Sequence, residues 1–272
     1  MKASQSNQKR FVTVTVVVML IALLSFSIVP LVSSIIAADR IAKGKIPDGR
    51  QQQLENQALG YELVLEREPD NQNAWRSLLD IRLQQGNISG AIEPLKKLAQ
   101  LTNAPDYTIL LAQTQTVLQD DEGALSTYRD LVDTHPEDPR SLKGLVDFLM
   151  SHERTGEAID AVQKSLKAAE QPGSQIDLIS TRLLLGEIYY SSQKFDEAMK
   201  IYQATAKLDG DDYRPILAQA IVLQELGKHQ EAGPLFETAI FKAPVEFKEA
   251  IKVLANNSKT ALESSKSSKS SS

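Results

Sequence analysis

The side chains that could carry catalysis or bind a metal in this chain are three histidines and a few groups of carboxylates. His135, His152 and His229 fall at or near predicted turns, and none of them forms the H-x-x-x-H pair that puts two metal ligands on one helix face. The acidic run 120–122 lies in a predicted turn, where solvated carboxylates need no catalytic role. Motifs for a phosphate loop or a serine nucleophile are absent from the sequence. We therefore expect no enzyme activity, no metal and no cofactor.

Composition excludes further classes of function. The 272 residues include no cysteine, so disulfides, thiolate nucleophiles and cysteine-based zinc sites are ruled out. The net charge is −5, and Lys2, Lys9 and Arg10 give the first ten residues +3, which leaves −8 for the rest. A nucleic-acid binder needs a basic stripe to neutralise phosphates, and this sequence has none. Nucleic acid is therefore not an expected partner.

A long apolar run near the N-terminus predicts membrane attachment. After a cationic tail, 1–10, the 28 residues 11–38 carry no charge, whereas about 20 helical residues span a bilayer core. A cleaved signal peptide is the alternative, but its apolar region is only about 7–15 residues long. Basic residues flank both ends of the run, so the charges do not predict its orientation. Residues 39–49 contain two glycines and a proline and are predicted to be a linker.

The remainder of the chain repeats with a period near 34 residues. The repeats begin at Gln72, Pro105, Pro139, Ile179 and Tyr213. Position 20 of each repeat is alanine, at Ala91, Ala124, Ala158, Ala198 and Ala232. Position 24 is always bulky, at Leu95, Tyr128, Val162, Tyr202 and Phe236. Two amphipathic helices in a hairpin explain this pattern, because a small residue lets them cross closely and a large residue one turn later fills the space between repeats. A single repeat cannot bury its apolar face, so the repeats must stack.

This pattern resembles the tetratricopeptide repeat. Trp75 matches the consensus tryptophan at position 4, Gly186 the glycine at position 8, Tyr189 the tyrosine at position 11 and Ala239 the alanine at position 27. The resemblance implies an all-α fold, a right-handed superhelix of about five helix-turn-helix repeats with capping helices, behind the transmembrane helix. The third repeat carries about six extra residues near 170–177, which form either a loop or a partner contact.

The resemblance also divides the chain. A capping half-repeat is expected over 50–71, five repeats over 72–246, a C-terminal capping helix over 247–262 and a disordered Ser/Lys tail over 263–272.

In this family the first helix of each repeat lines a concave groove that binds peptides, chiefly through positions 2, 5, 9, 12 and 13. The polar candidates at positions 2, 5 and 9 are Asn73, Arg76, Asp80, Gln113, Arg140, Lys143, Asp147, Glu187 and Arg214. The same positions also hold Asp106, Ile109, Ser180, Leu183, Leu217 and Ile221. The basic candidates could bind an acidic or C-terminal peptide through charge-assisted hydrogen bonds, whereas the alternative is a solvated polar face. Asp80 would repel the terminal carboxylate that chaperone-binding members hold, so that specificity is not expected.

The whole layout is similar to a group of cyanobacterial membrane-anchored tetratricopeptide proteins related to the chloroplast Slow Green protein. The stretches 61–75, 90–101, 183–190 and 213–236 carry this resemblance. It implies a scaffold that binds protein partners and takes part in assembling or maintaining photosynthetic membrane complexes, in an inner, plasma or thylakoid membrane. The side of the membrane is left open. The alternative is a secreted or periplasmic adaptor, released by cleavage of the apolar segment.

Overall fold

The computed structural model describes residues 48–256. The predicted tail 1–10, the predicted anchor 11–38 and the Ser/Lys tail 263–272 lie outside the described residues. Among the helices that are described, none is both long enough and apolar enough to cross a membrane. The chain divides into two compact units, of which the first ends at Leu145 and the second begins at Val146.

Both units are built from helices throughout the described residues. Unit one holds α1 (Asp48–Arg67), α2 (Gln72–Gln84), a 3-10 turn (Ser89–Ala91), α3 (Ile92–Thr102), α4 (Pro105–Val117), α5 (Asp121–Thr134) and the first half of α6 (Pro139–Ser151). Unit two holds the second half of α6, then α7 (Thr155–Ala169), α8 (Leu178–Ser191), α9 (Phe195–Thr205), α10 (Tyr213–Glu225), α11 (His229–Lys242) and α12, which is helical over 245–256. Pairs of consecutive helices correspond to the predicted repeats.

The helix boundaries agree closely with the predicted repeats and differ at the edges. Helices α2, α4, α6 and α10 begin at the predicted repeat starts, and α8 begins one residue before Ile179. Helix α1 begins at Asp48, so Gly49 lies in its first turn and the last two residues of the predicted linker are helical. Glycine in a first turn destabilises a helix little, because the first four N–H groups have no hydrogen-bond partner within the helix. The insert at 170–177 contains a bend and turn before α8, as expected of a loop.

The core confirms the packing inferred from the repeated alanines. All five alanines at position 20 are 0% exposed. The large residues at position 24 are at most 5% exposed in every repeat. Burial of a large side chain of this kind contributes roughly 1.5–3 kcal/mol, so one helix turn per repeat supplies a large share of the stability.

The closest packing in unit two lies between α8 and α9. A Cβ built on Gly186 would come within 2.2 Å of Cε1 of Tyr202, a separation that side chains do not tolerate. The Tyr202 ring is itself 4% exposed, so it has little room to withdraw. In unit one, a Cβ on Gly144 of α6 would come within 2.7 Å of the Tyr128 ring on α5, the second helix of the preceding repeat. A glycine on a first helix thus makes room for a tyrosine ring, within one repeat at Gly186 and between two repeats at Gly144.

The turns inside the repeats share one backbone feature. Position 15 of each repeat has a positive φ, at Gly86, Gln119, Glu153, Gln193 and Gly227, with values of 68°, 61°, 59°, 60° and 73°. A left-handed residue ends the first helix and turns the chain into the second. Only two of the five are glycine, so the other three repeats accept a modest conformational cost at this position.

Replacing Gly186 with alanine should destabilise the fold. The added methyl must displace the buried Tyr202 ring, and overpacking of this kind costs about 1–3 kcal/mol. Gly156→Ala is the matched control, because a Cβ at this helical glycine meets nothing within 4 Å. Urea unfolding of the full chain measures both free energies. Equal stability of the two variants would show that the ring is not held in place.

Candidate protein-binding surface

Arg140, one of the predicted groove residues, is held by two carboxylates of its own chain in unit one. Its Nε donates to both carboxylate oxygens of Asp138, at 2.9 and 3.0 Å, and its Nη2 donates to Asp138 Oδ2 at 2.6 Å. Its Nη1 donates to Asp106 Oδ1 on α4 at 2.7 Å. Asp138 also accepts the backbone N–H of residue 140 at 2.9 Å and so caps the start of α6. The guanidinium therefore joins the first helices of two successive repeats.

Arg214 repeats this arrangement in unit two. Its Nε and Nη2 donate to the carboxylate of Asp212, with distances of 3.0 and 2.6 Å, and its Nη1 donates to Ser180 Oγ on α8 at 2.9 Å. Asp212 caps α10 by accepting the backbone N–H of Arg214 at 2.9 Å. Ser180 in turn donates to Asp177, the cap of α8, at 2.5 Å. In both units the arginine stands 34 residues after the acceptor on the preceding first helix, which is one repeat.

These contacts fix the charge states of the groups. The hydrogen bonds from Arg140 and its charge outweigh partial burial, which alone would raise the pKa of Asp138, and they hold that pKa below the usual aspartate value. Hydrogen bonding to Asp138 raises the pKa of Arg140, and hydrogen bonding to Asp212 raises that of Arg214. Both arginines are charged and paired. They were predicted to receive an acidic peptide, and the structure gives them carboxylates of the chain itself.

Arg76 differs from these two arginines, although it is a predicted groove residue on α2. Its side chain is exposed, and its Nε donates to the hydroxyl of Tyr107 on α4 at 3.0 Å. Its other partners are the side-chain oxygens of Asn73 and Gln72, both at 3.4 Å. None of these groups is charged, so among the described residues no carboxylate pairs with Arg76. Its positive charge is held in place but not neutralised.

The remaining predicted residues fall into three environments. Asp80 is exposed and faces α1 across a cleft. Gln113 is half-buried, and its Oε1 is a buried acceptor without a partner among the described residues. Lys143, Asp147 and Glu187 lie on α6 and α8, each with an interaction to another group of the chain.

Three apolar residues at the predicted groove positions are part of the core. Ile109 is 3% exposed, and Leu217 and Ile221 are each 8% exposed. The positions that line a groove in the family consensus therefore serve packing on α4 and α10.

Sequence reasoning missed the partners that hold the arginines, although a signal was present. Both arginines stand two residues after an aspartate, in Asp138-Pro139-Arg140 and Asp212-Tyr213-Arg214. An aspartate just before a helix can cap it. An arginine two residues after that aspartate can reach both the capping carboxylate and the first helix of the preceding repeat. Tyr107, the partner of Arg76, carried no comparable signal.

The histidines and carboxylates of the described residues do not converge. His135 contacts Thr134 Oγ1 at 3.0 Å and the Asn103 carbonyl at 3.0 Å, so it joins two turns of unit one. Within residues 48–256, no three histidine or acidic side chains are grouped so that they could hold a metal ion.

The chain belongs to the tetratricopeptide repeat family. One model of this repeat matches residues 57–107 and 118–174 and a second matches 181–212, together just over half of the chain. A comparison with curated proteins gave no match.

Two solved structures show the same fold. Yeast Tom70 is 16% identical with a TM-score of 0.52, and the match covers 85% of this chain and 47% of Tom70. The chain thus spans about half the length of that protein. A tetratricopeptide repeat protein of Parabacteroides merdae is 17% identical with a TM-score of 0.50, covering 85% of this chain and 88% of its own. None of these findings bears on the predicted kinship with cyanobacterial proteins and Slow Green, which stays a prediction.

Arg140→Lys should destabilise unit one. Lysine cannot bind Asp138 and Asp106 at once, and loss of hydrogen bonds to charged partners costs about 1–3 kcal/mol. Arg154→Lys is the control, since Arg154 binds only its neighbour Glu157, at 2.7 Å, in an exposed pair. Thermal and urea unfolding measure the difference. Indistinguishable curves for the two variants would mean that the Arg140 contacts add nothing to the stacking of the repeats.

Acid should remove the contribution of Asp138. Because the folded pKa lies below the unfolded value of about 3.9, the unfolded chain binds more protons, and stability rises with pH in this range. The contribution is complete above the unfolded pKa and is lost as pH falls through the folded one. Asp138→Asn should therefore be less stable than the parent at pH 6, with a gap that closes towards pH 2–3. Urea midpoints against pH test this, and a constant gap would contradict it.

Proposed function

We propose that this protein is a membrane-tethered scaffold that binds a protein partner through the first helices of its repeats. The observation that carries the proposal is the uncompensated charge of Arg76. A guanidinium held by Tyr107 and two amide side chains is oriented before binding, and a carboxylate could replace water on it without reorganising the fold. The partner segment is therefore expected to present an acidic side chain or a terminal carboxylate.

Family membership supports a role in protein interaction. Tetratricopeptide repeats bind peptides or proteins on their first-helix faces, and unit one exposes Asn73 and Arg76 on such a face without using them in the core. Arg140 and Arg214 are less suitable as peptide ligands, because binding there would first require breaking ion pairs within the chain.

The tether rests on the 28 uncharged residues 11–38. In this proposal they form a single-pass anchor in an inner, plasma or thylakoid membrane, and the repeats face an aqueous compartment. The resemblance to cyanobacterial anchored proteins extends the proposal to the assembly or maintenance of photosynthetic membrane complexes. Intact mass of the mature chain and protease protection test the anchor. A chain that begins near Asp39 would replace it with the released adaptor.

Charge reversal at Arg76 should abolish partner capture. The full chain, purified by a tag from solubilised native membranes, should recover a defined partner, and Arg76→Glu should lower recovery by at least about tenfold, as expected for a charged contact at a binding centre. Lys96→Glu is the matched control, an exposed reversal on the second helix α3.

Both variants should unfold within about 0.5 kcal/mol of the parent, because neither side chain is buried. Recovery of the partner by Arg76→Glu at the parent level would refute the role of this residue. Recovery of nothing above background would refute the scaffold function itself.

A further inference from the structure

A cleft separates α1 from α2 at the N-terminal end of unit one. Its volume is about 390 Å³, and its walls combine apolar and polar side chains. Its lining residues are Gln57, Gly60, Tyr61 and Val64 from α1, and Ser77, Asp80 and Ile81 from α2. A cleft of this size holds a few side chains, and it is not needed for the packing of α1, whose buried face is formed by Leu54, Ala58 and Leu65.

The cleft contains a carboxylate without a partner. Among the described residues no cation or hydrogen-bond donor contacts Asp80, and partial burial raises its pKa above the usual aspartate value. The two basic residues of α2 are engaged elsewhere: Arg76, one turn before Asp80, donates to the Tyr107 hydroxyl, and Arg82 binds Glu62 and, at 3.5 Å, Glu55. A positively charged group in the cleft would therefore meet an uncompensated negative charge.

Gly60 keeps the cleft open. It lies in the middle of a 20-residue helix, where glycine is less favourable than alanine by about 1 kcal/mol. A Cβ at this position would meet nothing within 4 Å, so no packing neighbour requires glycine here. At Gly186, by contrast, the aromatic ring of the paired helix requires it. The space beside Gly60 is available to another group.

The period of the repeats indicates what belongs in this space. Ala58 is completely buried and precedes Ala91 by 33 residues, so α1 is the second helix of an incomplete repeat. A first helix contacts both its own second helix and the first helix of the next repeat, as α4 and α6 do through Asp106 and Arg140. A segment that contacts both α1 and α2 would occupy that place, and one repeat before the start of α2 the chain is at residue 39, in the stretch that leads into α1 at Asp48.

The residues just before α1 have the complementary chemistry. The segment 40–46 reads RIAKGKI, with three cations, two isoleucines and no acidic residue. The cleft offers one carboxylate among Tyr61, Val64 and Ile81. The segment therefore offers both cationic and apolar side chains to a cleft that is acidic and apolar.

The length of the segment also fits. Gln57 lies nine residues along α1 from Asp48, or roughly 14 Å at the helical rise. Lys43 precedes Asp48 by five residues, and an extended chain covers roughly 17 Å over that distance. Its side chain can then reach across to Asp80. Lys45, only three residues away, covers roughly 10 Å and is too short.

We propose that residues 40–46 fold back along α1 towards the cleft between α1 and α2, with the Lys43 ammonium on the Asp80 carboxylate and the Ile41 side chain against Tyr61 and Val64. The docked segment covers the open end of the stack of repeats in unit one. It also fixes the exit point of the chain towards the predicted anchor 11–38, so that the segment is a rigid connection in place of a free linker. This docking does not depend on the proposed partner or on Arg76.

The absence of cysteine permits a direct test in the full chain. Gly44→Cys, which leaves Lys43 in place, is combined with Gln57→Cys, in the cleft, or with Leu59→Cys, which is 50% exposed on α1 and does not line the cleft. The two pairs differ by only two residues in chain separation. A short bismaleimide should crosslink the 44/57 pair within one chain at least about fivefold faster than the 44/59 pair, the ratio expected when the ion pair of Lys43 with Asp80 favours the docked form. Labelling with a single maleimide corrects for thiol reactivity.

Two further substitutions test the occupant of the cleft. Asp80→Asn should lower the rate of 44/57 crosslinking about twofold to fivefold and remove its sensitivity to salt. Gly60→Trp should block docking by filling the cleft. Leu63→Trp, which adds a tryptophan at a residue of α1 that is 58% exposed and does not line the cleft, should leave the rate at the parent level. Circular dichroism checks that the helices are intact in each variant.

Equal rates for the 44/57 and 44/59 pairs would overturn the proposal and leave the cleft to an external partner. A crosslinked dimer in place of the intramolecular product would overturn it in favour of a second copy of the chain. Rates unchanged by both Asp80→Asn and Gly60→Trp would overturn it as well.

Discussion

The close crossing of two helices at a buried alanine is the constraint on which the structure depends. Each repeat brings its helices together at an alanine that is 0% exposed and fills the adjoining space with a large residue one turn later. Where that residue is tyrosine, a glycine on a neighbouring first helix makes room for the ring, as Gly186 does for Tyr202 in the same repeat and Gly144 does for Tyr128 from the next repeat. The crossing tolerates changes outside it. The insert at 170–177 lengthens one spacing between alanines to 40 residues, against 33 or 34 elsewhere, and both flanking alanines are still completely buried.

The second organising feature is the use of arginine at the start of first helices. An aspartate that caps the helix also orients the guanidinium, which then reaches one repeat back to Asp106 or Ser180. Partly buried ion pairs of this kind contribute when every donor finds an acceptor, and both arginines use Nε, Nη1 and Nη2. The chain thus uses for stacking two residues that stand at the family's peptide-contacting positions. Of the three predicted groove arginines, Arg76 is therefore the one whose partners among the described residues are neutral and whose charge a ligand can meet.

The N-terminal end of the repeats is where the cleft beside α1 and the segment leading from the predicted anchor come together in our proposal. Helix α1 has no first helix of its own among the described residues, and the cleft beside it contains the unpaired Asp80. The residues that would complete this end are the cationic ones that lead from the predicted anchor. In the proposed arrangement, the same few residues cover the stack and set its distance from the membrane, which leaves the Arg76 surface for a partner.

The sequence by itself determined the repeat, its period, the helix starts and the buried alanines, because those depend on local periodicity and on side-chain size at fixed positions. It also identified the basic residues of the first helices, but it did not show which of them pair with groups of the chain itself. Whether Arg140, Arg214 and Arg76 are paired depends on groups 31 to 34 residues away in the chain, at Asp106, Ser180 and Tyr107, whose distances are set only when repeats stack. The burial of Ile109 and the open space beside Gly60 were likewise decided by tertiary packing. A residue's position in the repeat determines the face of the helix on which its side chain lies. Whether that face meets solvent, a charged partner or the core depends on the neighbouring helix, which is placed only when the repeats stack.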